Sequence, residues 1–162
     1  MINIRKGSHH SLGQTDFVGA AKTDEAVVQG MLVEKDTNGD IVKIAKLDNA
    51  TRGSATNKIG LQKLLGFAIT NQSEGDAIAS GKIGVYALDG SSVIETDKYT
   101  GTVTIADIGN PVVQDSNSGT NGNVCVVAAE TTERIIGWVY DAPRTVYVGQ
   151  TAYTVLPIKL NA

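Results

Sequence analysis

With 162 residues, 41% of them hydrophobic, the chain is long enough for one domain that buries about 68–70% of the surface it exposes when unfolded. Eighteen glycines against three prolines exclude a Pro-rich disordered chain and call for many tight turns, while 14 scattered Lys and Arg at a net charge of -3 exclude a protein that coats duplex nucleic acid. No window approaches the apolar length of a membrane span, and a single cysteine rules out an intrachain disulfide framework.

Residues 1–25 are polar and punctuated by Gly7, Gly13 and Gly19. They read as an extended N-terminal arm, with Ile2, Ile4, Leu12 and Phe17 as apolar anchors for a partner and Arg5 and Lys6 for acidic groups at its rim. The start lacks the apolar stretch of a secretory signal, so synthesis and use without export are expected.

Residues 26–162 read as a single β domain. Short β-type runs alternate with Gly/Asn/Asp clusters, the pattern of a barrel or sandwich rather than of βαβ units. The run Val27 to Glu34 and the run Ile41 to Lys46 flank Asn38-Gly39, a strong hairpin signal because both central residues of a type I′ turn need positive φ. Asp36, Asn38 and Asp40 lack the spacing of a calcium loop. Residues 48–63 form a polar connection, with weak helical spacing from Lys58 to Leu65.

Further strands are expected at Leu64 to Thr70, Lys82 to Leu88, Ser92 to Glu95, Thr102 to Ile105, Pro111 to Gln114, Asn123 to Val127, Ile135 to Tyr140 and Arg144 to Val148. The chain closes on Tyr153 to Leu160, where Leu156, Ile158 and Leu160 share a face. Pro157 has no N–H for a ladder, so Leu156, Pro157, Ile158 and Leu160 are expected on an intersubunit edge strand.

A faint repeat links Leu64-Leu65-Gly66-Phe67-Ala68-Ile69 with Ile135-Ile136-Gly137-Trp138-Val139-Tyr140. Each places a glycine beside an aromatic inside a strand, which suggests a bend or bulge, and two related units closing one barrel would account for it.

Motifs that carry chemistry are missing. HExxH, CxxC, Walker A and GxGxxG do not occur, and Asn117 to Gly122 has neither the Lys nor the following helix of a phosphate loop, so it reads as a mobile surface loop. Cys125 lies in an apolar run as a buried structural thiol, far in sequence from His9 and His10, the only two histidines. Carboxylates such as Asp24 and Glu25 have no apolar pocket assigned to them. The expectation is a protein with no catalytic residues, no metal and no cofactor. Trp138 reads as core packing beside Gly137, with a sugar-stacking platform as the alternative.

The Gly-opened strand at Gly30, the Gly66-Phe67-Ala68 and Gly137-Trp138-Val139 returns, Gly81-Lys82-Ile83-Gly84-Val85, and Ile108-Gly109-Asn110-Pro111-Val112-Val113 before a Gly/Asn loop resemble capsid decoration (cement) proteins of tailed bacteriophages. The resemblance spans residues 26–148 and rests on the order of glycine-punctuated strands. It implies an all-β chain, an antiparallel β-barrel or β-tulip or a sandwich with an extended N-terminal arm. It also implies a homo-oligomer, a trimer in preference to a dimer or monomer, bound to the major capsid protein lattice on the outer capsid surface of a virion. Another virion β-protein, a tail-tube or head-completion subunit, and a carbohydrate-binding or adhesin-like module are the alternatives.

Overall fold

The computed structural model describes residues 2–6, 17–21, 26–35, 41–45, 64–69, 82–88, 90–115, 120–128 and 134–161. Over these residues the chain is built mainly from β-strands in antiparallel and mixed sheets, with a short 3-10 turn at Ile105–Asp107.

The first set of strands is β2 (Phe17–Ala21), β3 (Leu32–Lys35), β4 (Ile41–Ile44), β5 (Leu64–Ala68) and β6 (Lys82–Ala87). They pair in the order β2-β4-β3-β5-β6, and β6 pairs back to β2, so the circuit of pairings closes. Period-two alternation divides their side chains. Val33, Ala68, Ile83 and Val85 cluster with Val27 inside the circuit, while Leu32, Phe67 and Tyr86 face outward. The interior residues are small and mostly β-branched, as a circuit of only five strands requires.

The second set is β1 (Ile2–Lys6), β7 (Val93–Thr96), β8 (Tyr99–Thr100), β9 (Pro111–Gln114), β10 (Val124–Val126), β11 (Gly137–Val139), β12 (Arg144–Val148) and β13 (Thr151–Leu160). Seven lie in the order β1-β7-β13-β11-β9-β10-β8, and β12 pairs only β13 off this path. Only Asp97 and Lys98 separate β7, second in the sheet, from β8 at its far edge, so the sheet curls round. Its inner face, with Ile94, Val112, Val124, Ile136, Val139, Leu156, Ile158 and Leu160, packs on Leu32, Phe67 and Tyr86 from the circuit. One apolar cluster therefore joins both sets.

Polar links also cross this junction. The Thr96 hydroxyl donates to the Gly30 carbonyl at 2.9 Å. Gly122 lies between β3 and the end of β4: its N–H donates to the Ala45 carbonyl at 3.0 Å and its carbonyl accepts from the Leu32 N–H at 2.7 Å. Gly122 is buried at φ 81°, so the described part of the Gly/Asn loop is a clamp rather than a mobile surface loop.

The N-terminal segment departs from the expected arm. Ile2–Lys6 forms an edge strand on β7, with Ile2 opposite Thr96 and Ile4 opposite Ile94, and Ile2 is 3% exposed in the core. Phe17–Ala21 pairs with β6 and β4. Backbone pairing available on β7 and β6 outweighs the ordering entropy of these few residues. Leu12 lies outside the described residues, as do Asn38-Gly39 and residues 48–63. The strands that flank Asn38-Gly39 do pair antiparallel, Val33 with Ile44 and Lys35 with Val42.

The closing strand is interior, not an intersubunit edge. Leu156, Pro157, Ile158 and Leu160 are buried between β7 and β11. Pro157 is tolerated there for a geometric reason. Its carbonyl accepts from the Tyr140 N–H at 2.9 Å, so its nitrogen also faces that side, one residue beyond the end of β11, and the ladder with β7 loses no donor.

The two glycine-aromatic repeats sit in different sets instead of closing one barrel. At Gly66 the β3–β5 register shifts by one residue, the expected bulge, and a Cβ there would overlap the Tyr86 carbonyl oxygen. Gly137 lies in regular register, and a Cβ would overlap the Lys159 carbonyl oxygen. Thr102 to Ile105 is not a strand. The Thr104 side chain accepts from the Ala106 N–H while the Asp107 carboxylate accepts from the Thr104 N–H at 2.8 Å, a local cap that favours the 3-10 turn.

Candidate interaction surface

The hairpin β12–β13 is largely exposed from Arg144 to Thr154. Its register runs from Arg144 opposite Val155 to Val148 opposite Thr151, closed by the two-residue turn Gly149-Gln150, with Gly149 at φ 61°. Both kinds of two-residue turn favoured in hairpins need positive φ at the first central position, and glycine supplies it. Beyond Val155 the hairpin leaves the sheet: Thr145, Tyr147, Val148, Thr151, Ala152 and Thr154 are all exposed, Tyr147 at 72% and Val148 at 55%.

Its base is anchored electrostatically. Arg144 donates through Nε and Nη2 to both oxygens of Glu95, at 2.7 and 2.9 Å. Glu95 lies on β7 and is fully buried, directly opposite Pro157. A buried carboxylate requires a partner, and the bidentate fork is the geometry that satisfies both oxygens. In return the Glu95 carboxylate, by hydrogen bonding first and by charge second, holds Arg144 above its ordinary pKa.

A second exposed apolar feature lies at the same end of the sheet. The 3-10 turn presents Ile105 at 75% exposure and Ile108 at 45%. Gly109 donates to the Val139 carbonyl at 2.9 Å and Val139 to the Asn110 carbonyl at 3.0 Å, which fastens the turn to the end of β11 just before the hairpin begins. The Asp107 carboxylate is held below the usual carboxylate range, first by the Thr104 N–H, then by its hydroxyl, with a further bond from Asn110. The one charge on this turn is thus engaged within the turn.

The residues expected to touch a partner are distributed differently. Ile2 is in the core, Ile4, Arg5 and Lys6 are in a paired strand, Phe17 is in β2, and the buried face of β13 holds Leu156, Ile158 and Leu160. None of these joins the hairpin and the 3-10 turn at the exposed end. Tyr147 and Val148 were legible as a β run, but their exposure depends on where β13 leaves the sheet. The signal available in sequence was Gly149-Gln150 between two β-prone runs.

Cys125 is half-buried on β10, its Sγ 4.0 Å from the Gln114 carbonyl oxygen. Trp138 is half-buried and alternates with the core residue Val139, so it lies on the outward face opposite Lys159 and not in the apolar core. His9, His10, Asp24 and Glu25 lie outside the described residues. Among the described residues no three His, Cys, Asp or Glu side chains converge as metal ligands would, and no helix is long and apolar enough to cross a membrane. Compared with known proteins, the chain matches no family model, no curated protein and no solved structure at a significant level.

Proposed function

We propose that the protein is a non-enzymatic virion structural protein that binds and stabilises the outer surface of an assembled phage capsid. The observation that carries this reading is the pair of exposed apolar features at one end of the sheet, Ile105 and Ile108 on a capped turn and Tyr147 and Val148 on a projecting hairpin. Apolar side chains held on ordered elements lose little entropy on docking, so a modest contact per copy is retained as binding energy. A protein that binds only the assembled lattice stabilises it by mass action, and repetition over the shell multiplies the effect. The order of glycine-punctuated strands, similar to that of decoration proteins, supports the same reading.

Co-sedimentation with expanded shells of the cognate major capsid protein tests it. The intact protein is expected to pellet with shells, and Ile105→Asp with Ile108→Asp to remain in the supernatant while keeping its far-UV circular dichroism. An intact protein that ignores shells removes the reading. The projecting hairpin also favours a tail-tube subunit as a second reading, since its strand edges could continue from copy to copy. Rings or tubes in negative-stain electron microscopy of the purified protein would select it.

A further inference from the structure

We infer that the free edge of β12 is a homodimer interface, in which two copies pair β12 with β12 antiparallel about a two-fold axis through Val146. Hydrogen-bond parity within the hairpin fixes which groups are available. Val148 and Thr151 flank the two-residue turn and form a hydrogen-bonded pair, as do Val146 with Tyr153 and Arg144 with Val155 two and four residues on. Thr145 and Tyr147 therefore direct both N–H and C=O away from β13, along the open edge. No other described strand pairs there.

Past Arg144, whose charge Glu95 takes up, that edge lacks the features by which proteins protect such strands. From Thr145 to Val148 it has no charge, no proline and no bulge, and its residues are β-branched or aromatic. The opposite edge of the hairpin differs. Along it β13 enters the ladder with β7 at Leu156 opposite Thr96, next to the charged corner Asp97-Lys98 where the chain turns toward β8. The β12 edge bears two of the large exposed apolar side chains, Tyr147 and Val148.

A second copy is the occupant that this edge fits. Antiparallel self-pairing places Thr145 opposite Tyr147 of the second copy in both directions, so four outward backbone groups on each copy find partners in one step. Val146 meets Val146 on the axis, a close non-hydrogen-bonded pair. Charge selects the antiparallel arrangement over a parallel one: Arg144 falls opposite Val148, whereas in-register parallel pairing would set Arg144 against Arg144. Arg144 is in addition neutralised within its own copy by Glu95. The contact lies at the small end of interface sizes, so the dimer is concentration-dependent.

The inference rests on the hairpin alone and holds or fails independently of any capsid lattice. The test is disulfide trapping and sedimentation of the full chain carrying Cys125→Ser. In that background Val146→Cys is expected to give a disulfide-linked dimer on mild oxidation, because directly opposed residues of a non-hydrogen-bonded pair have Cα atoms about 4.5 Å apart. Val146→Lys and Val146→Glu are each expected to sediment as monomers at concentrations where the parent dimerises, and their mixture to recover the twofold mass. Tyr147→Pro, which removes an outward N–H and no ladder bond within the hairpin, is expected to abolish dimerisation with an unchanged circular dichroism spectrum. A parent that stays monomeric at about 0.5 mM, well above the micromolar range of weak specific association, with no Val146→Cys cross-link, overturns the inference. So does trapping at Thr154→Cys in preference to Val146→Cys.

Discussion

Replacing Gly122 by alanine separates the two demands placed on the clamp between the strand sets. Gly122 has φ 81°, and a Cβ there would lie 2.8 Å from Ile44 Cγ2 and 3.1 Å from Met31 Cβ. Gly101 provides the matched control, with φ 84° and nothing within 4 Å of an added Cβ. An L-residue in this conformation costs about 1–2 kcal/mol, partly offset by about 0.4–1 kcal/mol from a less flexible unfolded chain. Gly101→Ala should therefore destabilise by about 1 kcal/mol. Gly122→Ala adds overpacking against Ile44 and Met31, about 1–3 kcal/mol, for a total of about 2–4 kcal/mol. That is a large share of the roughly 5–15 kcal/mol that holds a domain folded. Urea unfolding followed by far-UV circular dichroism measures both, and the Gly122→Ala midpoint should fall by about 1–2 M at unchanged slope. Equal midpoints for the two variants would refute the steric clamp and leave only backbone strain.

Tyr86→Phe removes the hydroxyl that lies 2.6 Å from Ser92 Oγ in the buried junction, and should cost about 1 kcal/mol, with a double-mutant cycle against Ser92→Ala giving less than the sum of the single changes. Deleting residues 1–6 uncovers β7 and withdraws buried Ile2, so thermal unfolding should show a loss of at least about 1.5–3 kcal/mol, whereas a free arm would give no change. Asp107, depressed by the Thr104 N–H and hydroxyl, contributes stability at pH above the ordinary carboxylate range that is lost as pH falls through its lowered pKa. Its NMR titration midpoint should lie below that of an unfolded aspartate, and Thr104→Ala should move it upward.

The β character and most strand positions were legible because they are local. Period-two alternation and Gly/Asn turns act within a few residues, so β3, β4, β6, β9 and β12 fall where the runs Leu32-Val33, Ile41-Val42, Ile83-Gly84-Val85, Pro111-Val112-Val113 and Thr145-Val146-Tyr147 place them. Thr102 to Ile105 has the same alternation but is a 3-10 turn, since a side-chain cap between Thr104 and Asp107 competes successfully where no neighbouring strand is at hand.

Partner choice is what the tertiary structure decided. Residues 1–25, polar and punctuated by glycine, looked like an arm, yet the backbone groups of Ile2–Lys6 gain more from the open side of β7 than from water once Ile2 can enter the core. Pro157 bars an interior place only where its nitrogen faces a paired neighbour strand, and parity turned it toward the place where β11 has already ended. The same ten-residue strand is interior at Leu156 and exposed at Thr151, because β7 and β11 stop and β13 continues. Side-chain pattern specifies that a segment is a strand, whereas its neighbours depend on backbone groups that are alike in every residue, and only the assembled sheet tells them apart.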